Sequence, residues 1–138
     1  MAKIIRHYLI TIRGVKLDSN IFAKRISEII FNKKAFDVVL IDLRKLATFA
    51  DFFVICSADS TIQVKAIADD LDKSLNNEGV KCWHKEGYQA LNWVLMDYVD
   101  VIVHIFKKDA RDFYNLEKLW GDAQFERLTE PGASQSVN

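Results

Sequence analysis

Residues 90–106 read ALNWVLMDYVDVIVHIF, and thirteen of these seventeen residues are apolar. A transmembrane helix needs about 20 consecutive apolar residues, and each Asp near its centre costs roughly 2.5–3.5 kcal/mol. Asp97 and Asp100 interrupt the stretch, so it does not predict a membrane span. It predicts two apolar strands, Trp93–Met96 and Val101–Phe106, joined by a short turn that carries the two acids.

The chain before this strand pair alternates helix and strand patterns. Apolar side chains at helical spacing predict a helix that follows Ser19 and ends near Asn32–Lys34. The short apolar runs Val38–Ile41 and Phe52–Cys56 are typical of buried strands. Ser60 and Gln63 then form the sequence pattern of a capping box, which predicts a second helix from this point.

A third helix is predicted after the strand pair, with Asp109 as its cap and Phe113, Leu116 and Trp120 on one side. A short strand at Val80–His84 completes a βαβ-like unit, with a right-handed crossover if its two strands are parallel. The predicted order is α–β–β–α–β–β–β–α, so the predicted fold is α/β, a single mixed sheet with packed helices.

The charges cancel over the chain but are unevenly distributed. Residues 1–50 carry ten Lys or Arg against four Asp or Glu, whereas residues 51–100 carry four against nine. An acidic middle segment suits a basic protein partner, and the overall balance argues against a general nucleic-acid binder. Cys56 and Cys82 are too few and too isolated for a zinc site or a disulfide framework, which fits a reducing cytoplasm.

Catalytic and cofactor motifs are absent from the sequence. It has no P-loop, G-x-G-x-x-G or G-x-S-x-G pattern, and no cluster with metal-ligand spacing. One enzyme-like hypothesis stays open, in which a nucleotide binds at the helix start at Asp59–Ser60. That turn has no glycine to let the backbone approach a phosphate closely, so a simple helix cap is the alternative interpretation.

The ends of the chain are predicted to lie outside the domain. Residues 1–18 are interpreted as an N-terminal extension, either an arm or an extra strand, because they lack the Ser content of a transit peptide and the unbroken apolar run of a secretory signal. Residues 19–124 form the predicted domain. Residues 125–138 are a polar tail, predicted to be disordered.

Several stretches between Asp37 and Ala123 give the chain a resemblance to the ribosomal silencing factor family, also called the Iojap family. They are ADFFVI (50–55), STIQVKAIAD (60–69), EG (86–87), WVLMDYVDVIVHIF (93–106) and RDFYNLEKLWGDA (111–123). The resemblance implies an α/β domain distantly similar to nucleotidyltransferase domains, but without catalytic activity. Such domains need a Gly-Ser turn and paired aspartates, and residues 56–59 read CSAD.

The resemblance also implies a function. Members of the family bind the large ribosomal subunit on its fourteenth protein and block joining with the small subunit, which lowers translation under nutrient limitation or in stationary phase. The remaining alternative is a degenerate nucleotidyltransferase-like protein that binds nucleotides. A further possibility is that an exposed apolar surface makes the free protein a homodimer. No cofactor, membrane or sequence-specific nucleic acid is expected.

Two turns depart from the pattern usual in the family. Residues 58–60 read ADS in place of Gly-Thr-Ser, and residues 97–100 read DYVD in place of Asp-Tyr-Gly-Asp. Glycine often supplies a positive φ in a tight turn, which is costly for the β-branched Val99. Either the turn does not need that conformation or its shape differs in this chain.

The resemblance and the strand alternation together predict a partner-binding site. Trp93 and Leu95 face one side of the strand, and Val94 and Met96 face the other. One of these sets is expected to form an exposed apolar surface within an acidic rim, which suits a basic ribosomal protein. The alternative is that all four are core residues. The candidate residues are Glu86, Trp93, Val94, Leu95, Met96, Asp97, Tyr98 and Asp100.

Overall fold

The computed structural model of the protein describes residues 11–12, 15–130 and 132. The strands are β1 (Thr11–Ile12), β2 (Val15–Lys16), β3 (Phe36–Asp42), β4 (Phe52–Ala58), β5 (His84–Glu86), β6 (Trp93–Asp97), β7 (Val101–Lys107) and β8 (Gln124–Arg127). The helices are α1 (Ser19–Phe31), α2 (Thr61–Asn77), α3 (Lys108–Tyr114) and α4 (Leu116–Leu119).

Strands β3 to β8 form one six-stranded sheet in the order β5-β6-β7-β4-β3-β8, and β1 pairs with β2 separately. β4 and β7 are parallel, whereas the other neighbouring strands are antiparallel. The prediction of a mixed sheet with packed helices is therefore confirmed. The distant likeness to nucleotidyltransferase domains stays a prediction.

The right-handed crossover was predicted on the condition that β4 and the strand at Val80–His84 are parallel, and β4 instead pairs in parallel with β7. The strand expected at Val80–His84 is β5, which begins only at His84, lies at the sheet edge and pairs with β6. β4 is buried at every residue and lies inside the sheet between β3 and β7. β7 is almost entirely buried, whereas His84–Glu86 is exposed at every residue and suits an edge strand. The crossover from β4 therefore runs through α2, β5 and β6.

Side-chain caps fix the starts of the two long helices. Asp18 accepts a hydrogen bond from the Ile21 N–H at 3.0 Å, and Ser60 accepts one from the Gln63 N–H at 3.2 Å. The second half of the predicted capping box is absent, because the Gln63 amide donates to the Lys33 carbonyl instead. This bond ties the start of α2 to the segment that follows α1.

Each face of the sheet has its own apolar core. Helices α1 and α2 cover one face and bury side chains that include Phe22, Val54 and Val103. The other face buries Phe53, Ile55 and Phe106 under the short α3–α4 segment and the connection at residues 43–50. Because α3 and α4 are short, this second face is less completely covered.

The predicted boundaries need correction at two places. Residues 124–127 form β8, paired with β3, so the polar tail does not begin at 125; β8 lies at an edge with exposed side chains and has no apolar signal. Within the expected N-terminal extension, β1 and β2 form a short antiparallel pair. Residues 1–10 and 133–138 lie outside the described residues.

The last helix also differs from its prediction. It begins at Lys108 after an extended Lys107, and Asp109 lies inside its first turn without capping it. Asn115 has a left-handed backbone, with φ of +46°, which separates α3 from α4. Phe113 is consequently exposed, whereas Leu116 is buried. Among the helices of the described ranges, none has the length and apolar content needed to cross a bilayer.

Candidate partner-binding site

The alternation along β6 separates the four apolar candidates into two sets. Val94 and Met96 are fully buried in the core beneath α1 and α2. Trp93 and Leu95 lie on the less covered face and remain partly exposed. The sequence left the exposed face undecided, and the structure assigns it to Trp93 and Leu95, so Val94 and Met96 are core residues.

The two acidic residues of the turn after β6, Asp97 and Asp100, are buried. Asp97 and Asp100 are only 9% and 2% exposed, and the ring of Tyr98 packs edge-on against Phe22 at 6.0 Å. The Val99 N–H donates to Asp97 Oδ1 at 2.7 Å. The expectation that Asp97 and Asp100 rim an exposed surface is therefore wrong, because turn and core contacts hold them inside the fold, and Tyr98 is likewise a core residue.

Glu86 is the one predicted acid that borders the exposed side of β6. It lies opposite Leu95 in the β5–β6 register, so the two side chains share a face. Its carboxylate is exposed and contacts His84 Nε2 at 2.7 Å.

Gly87 follows Glu86 and has a φ of +89°. A Cβ at this position would lie 1.9 Å from the Trp93 carbonyl oxygen. The close approach of the residue 87 backbone to β6 therefore requires glycine.

Aromatic rings hold Trp93 from two sides. Its ring stacks on Phe106 at 4.8 Å between centroids and meets Tyr114 at 4.9 Å. The ring of Tyr114 in turn contacts Phe113 at 5.1 Å. We call Trp93, Leu95, Phe113 and Tyr114 the apolar patch.

Helix α3 contributes two residues that sequence reasoning did not include in the site. Phe113 is 81% exposed, and Tyr114 is also exposed. The spacing of Phe113 with Leu116 and Trp120 predicted one helix face, but the left-handed Asn115 ends that periodicity. The asparagine between Tyr114 and Leu116 was the available signal, since Asn tolerates this conformation.

The partner of the Trp93 indole was also missed. The indole Nε1–H donates to His104 Nδ1 at 3.0 Å. In the β6–β7 register Trp93 lies opposite Phe106 and Leu95 lies opposite His104, which makes Trp93 and His104 diagonal neighbours on one face. Burial lowers the pKa of His104 to about 3, so its imidazole is neutral and accepts this hydrogen bond.

The nucleotide hypothesis points to a different place, where the parallel strands β4 and β7 end. An open cleft of about 610 Å³ lies there, lined among others by Ser57, Lys108 and Arg111. Ligands of open α/β sheets commonly bind beyond the carboxyl ends of their strands. A phosphate could bind here only if the cationic side chains that line the cleft had free hydrogen-bond donors.

The cations of this cleft already have acidic partners. Arg111 is buried and donates to Glu117 Oε2 at 2.8 Å, to Ser57 Oγ at 2.9 Å and to the Asp37 carbonyl at 2.5 Å. Two exposed pairs, Lys108–Asp59 at 3.6 Å and Arg127–Asp37 at 3.7 Å, complete the set. A phosphate would have to displace these acids, so the geometry does not favour a nucleotide here.

Comparison with known proteins gives a consistent result. The family described as "Ribosomal silencing factor during starvation" matches residues 16–138. A relative from Halalkalibacterium halodurans, named ribosomal silencing factor RsfS, is 49% identical over 92 residues, covering 67% of this chain and 79% of its own. The protein of the same name from Bacillus subtilis is 44% identical over 92 residues, covering 67% and 78%.

A more distant relative and a solved structure extend the comparison. The mouse protein named "Mitochondrial assembly of ribosomal large subunit protein 1" is 28% identical over 112 residues, covering 78% of this chain and 46% of its own. A crystal structure of a Bacillus halodurans protein has a TM-score of 0.71 and 38% identity, covering 80% of this chain and all of that one.

Proposed function

Since this chain belongs to the ribosomal silencing factor family, which comprises ribosome-associated regulators of translation and not enzymes, we propose that it represses translation by binding the large ribosomal subunit. The proposed contact is the fourteenth protein of that subunit. The bound protein then blocks joining with the small subunit by occupying its place. The proposed setting is nutrient limitation or stationary phase.

The observation that carries this proposal is the apolar patch. Trp93 and Leu95 stay partly exposed on β6 beside the exposed Phe113 and Tyr114 of α3, although the neighbouring Val94 and Met96 are fully buried. Clusters of exposed apolar side chains mark interaction sites on soluble domains. Aromatic anchors at the centre of an interface contribute most of its binding energy.

The choice of the large subunit has its own support. The mouse relative is named for assembly of the ribosomal large subunit. The more similar relatives are bacterial proteins that share the silencing factor name. The proposed site of action is accordingly the cytoplasm of a bacterial cell.

The decisive experiment is co-sedimentation of the purified protein with separated large and small subunits. Stoichiometric pelleting with the large subunit alone is the expected result, together with fewer joined ribosomes when the small subunit is added afterwards. Pelleting with neither subunit would remove the proposed function. Pelleting without an effect on joining would retain the partner and reject the steric block.

We also propose that the free protein forms a weak homodimer through the same patch, because exposed apolar side chains can pack between two copies. Sedimentation velocity over a concentration series tests this. A shift toward dimer that the Trp93→Ala variant abolishes would support it. Monomeric behaviour at every concentration would rule it out.

A further inference from the structure

His104 lies beside Trp93 as its diagonal neighbour on the same face of the sheet and is almost completely buried, with 3% exposure. The indole has a single hydrogen-bond donor, Nε1–H, and that donor is used internally on His104 Nδ1 at 3.0 Å. A partly exposed tryptophan could satisfy this donor with water or with a partner protein. The buried imidazole takes it instead.

We infer that His104 is a positioning residue for docking, whose imidazole holds the Trp93 indole in the single orientation that the apolar patch presents to the ribosome. The inference rests on the proposed function of that patch. It assigns a role to a side chain that the partner itself never touches.

The rings around the pair divide the task of fixing the indole. Stacking on Phe106 at 4.8 Å sets the plane of the ring, with an interplanar angle of 29°. Stacking alone leaves open which edge of the indole points outward. The directional N–H···N bond to His104 selects one edge.

His104 is itself held in place, so it can act as a fixed acceptor. Its ring meets Phe53 of β4 edge-on at 4.4 Å and lies beside Phe106 at 6.4 Å. Because Nδ1 accepts, the proton of the neutral ring is on Nε2. Within the described residues, Nε2 is buried without a hydrogen-bond partner.

That orphaned nitrogen distinguishes a positioning role from ordinary packing. A phenylalanine or leucine at 104 would fill the space without an unpaired Nε2–H, but it would take away the acceptor of the Trp93 indole N–H. Histidine carries the cost of one unpaired buried donor and supplies one feature that these residues lack, an acceptor aimed at Trp93. Fixing the indole before docking removes an ordering cost that association otherwise carries, which corresponds to about a two- to tenfold gain in affinity.

The test compares three substitutions that differ in the acceptor. His104→Asn keeps an acceptor, because Asn Oδ1 and His Nδ1 are equally far from Cβ. His104→Phe and His104→Leu fill the space without one, and two such variants guard against a failure of either to fold. The first measurement is the ¹⁵N–¹H spectrum of the indole groups in the free protein, assigned by Trp→Phe replacement.

The expected spectrum shows a Trp93 indole proton that exchanges slowly with water, against a fast proton on Trp83, which is 70% exposed. Protection should survive in His104→Asn and disappear in the Phe and Leu variants. The second measurement is affinity for large ribosomal subunits. His104→Asn should bind within twofold of wild type, and the Phe and Leu variants about two- to tenfold more weakly.

Two results would overturn the inference. One is a fast-exchanging Trp93 indole proton in the wild-type protein. The other is wild-type affinity in the Phe and Leu variants despite loss of protection, which would make His104 a packing residue only. A failure of the proposed function looks different: Trp93→Ala would then bind like wild type, while the spectrum of the wild-type protein would still show a protected Trp93 indole.

Discussion

The Val99 N–H donates to the Asp97 carboxylate at 2.7 Å while Val99 itself has a φ of +78°. The Asp100 N–H bonds to the Tyr98 carbonyl at 3.0 Å, which closes a three-residue turn around Val99. A β-branched residue is strained in this conformation. The turn therefore does require the positive φ that glycine would supply, and Asp97 helps to hold it.

Replacement of Val99 by glycine should stabilise the protein. Relief of backbone strain is worth about 1–3 kcal/mol, and the added freedom of the unfolded chain costs about 0.5–1 kcal/mol. We expect a net rise of about 1 kcal/mol in the free energy of unfolding, measured in urea. Val99→Ala is the control and should fall between the two, whereas a loss of stability in Val99→Gly would contradict the strain argument.

Acid should destabilise the protein through His104. Burial lowers the pKa of His104 to about 3, against about 6.5 in the unfolded chain, so the unfolded state binds more protons between these values. The contribution of neutral His104 is complete above pH 6.5 and is lost as the pH falls. The free energy of unfolding should decrease by about 1.4 kcal/mol per pH unit below 6.

The His104→Phe variant isolates this effect, because the other titrating groups are unchanged. Unfolding curves at pH 7, 6 and 5 should show a stability difference that moves in favour of the variant as the pH falls. At pH 7 the variant removes the unpaired Nε2–H but also removes the acceptor of the Trp93 indole N–H, so its free energy of unfolding should lie within about 1–3 kcal/mol of wild type. Parallel pH profiles would refute the assignment.

Trp93→Ala should weaken binding to large subunits by at least about 2 kcal/mol if Trp93 is a central anchor. Trp83→Ala is the matched control, since Trp83 is 70% exposed on the segment leading into β5 and should leave affinity unchanged. Unfolding of both variants should be measured alongside. Normal affinity with a sharply reduced melting temperature would identify Trp93 as a core residue only.

Arg111 should be a structural residue of the cleft beyond β4 and β7. Arg111→Met removes hydrogen bonds to Glu117, Ser57 and the Asp37 carbonyl and should lower the free energy of unfolding by about 2–3 kcal/mol. Arg127→Met is the control, because its ion pair with Asp37 is exposed, and such pairs contribute little. Equal effects of the two variants would show that burial of Arg111 is unimportant.

Local signals in the sequence were sufficient for much of this fold. The apolar stretch at 93–106, interrupted by Asp97 and Asp100, predicts β6, β7 and the turn between them, and Ser60 marks the start of α2. Both features depend on residues that are near one another in the chain. The face of β6 that stays exposed could not be predicted, because it depends on where α1 and α2 pack.

Long-range pairings account for the remaining differences. β8 is a polar edge strand, and only its pairing with β3 makes it a strand. Asp97 and Asp100 look like surface residues until the turn buries them. His104 gains its significance only when the β6–β7 register places it diagonally beside Trp93.

The parallel pairing of β4 with β7 also determines when a newly made chain becomes competent to bind. β6 and β7 form a local hairpin. Trp93 is held by His104, however, and His104 packs against Phe53 of β4. Phe53 reaches His104 only when β4 has aligned with β7, with Phe52 opposite Val101. Such non-local pairings are late and slow steps of folding. We therefore expect nascent and partly unfolded chains not to bind ribosomes, so that only completely folded molecules repress translation.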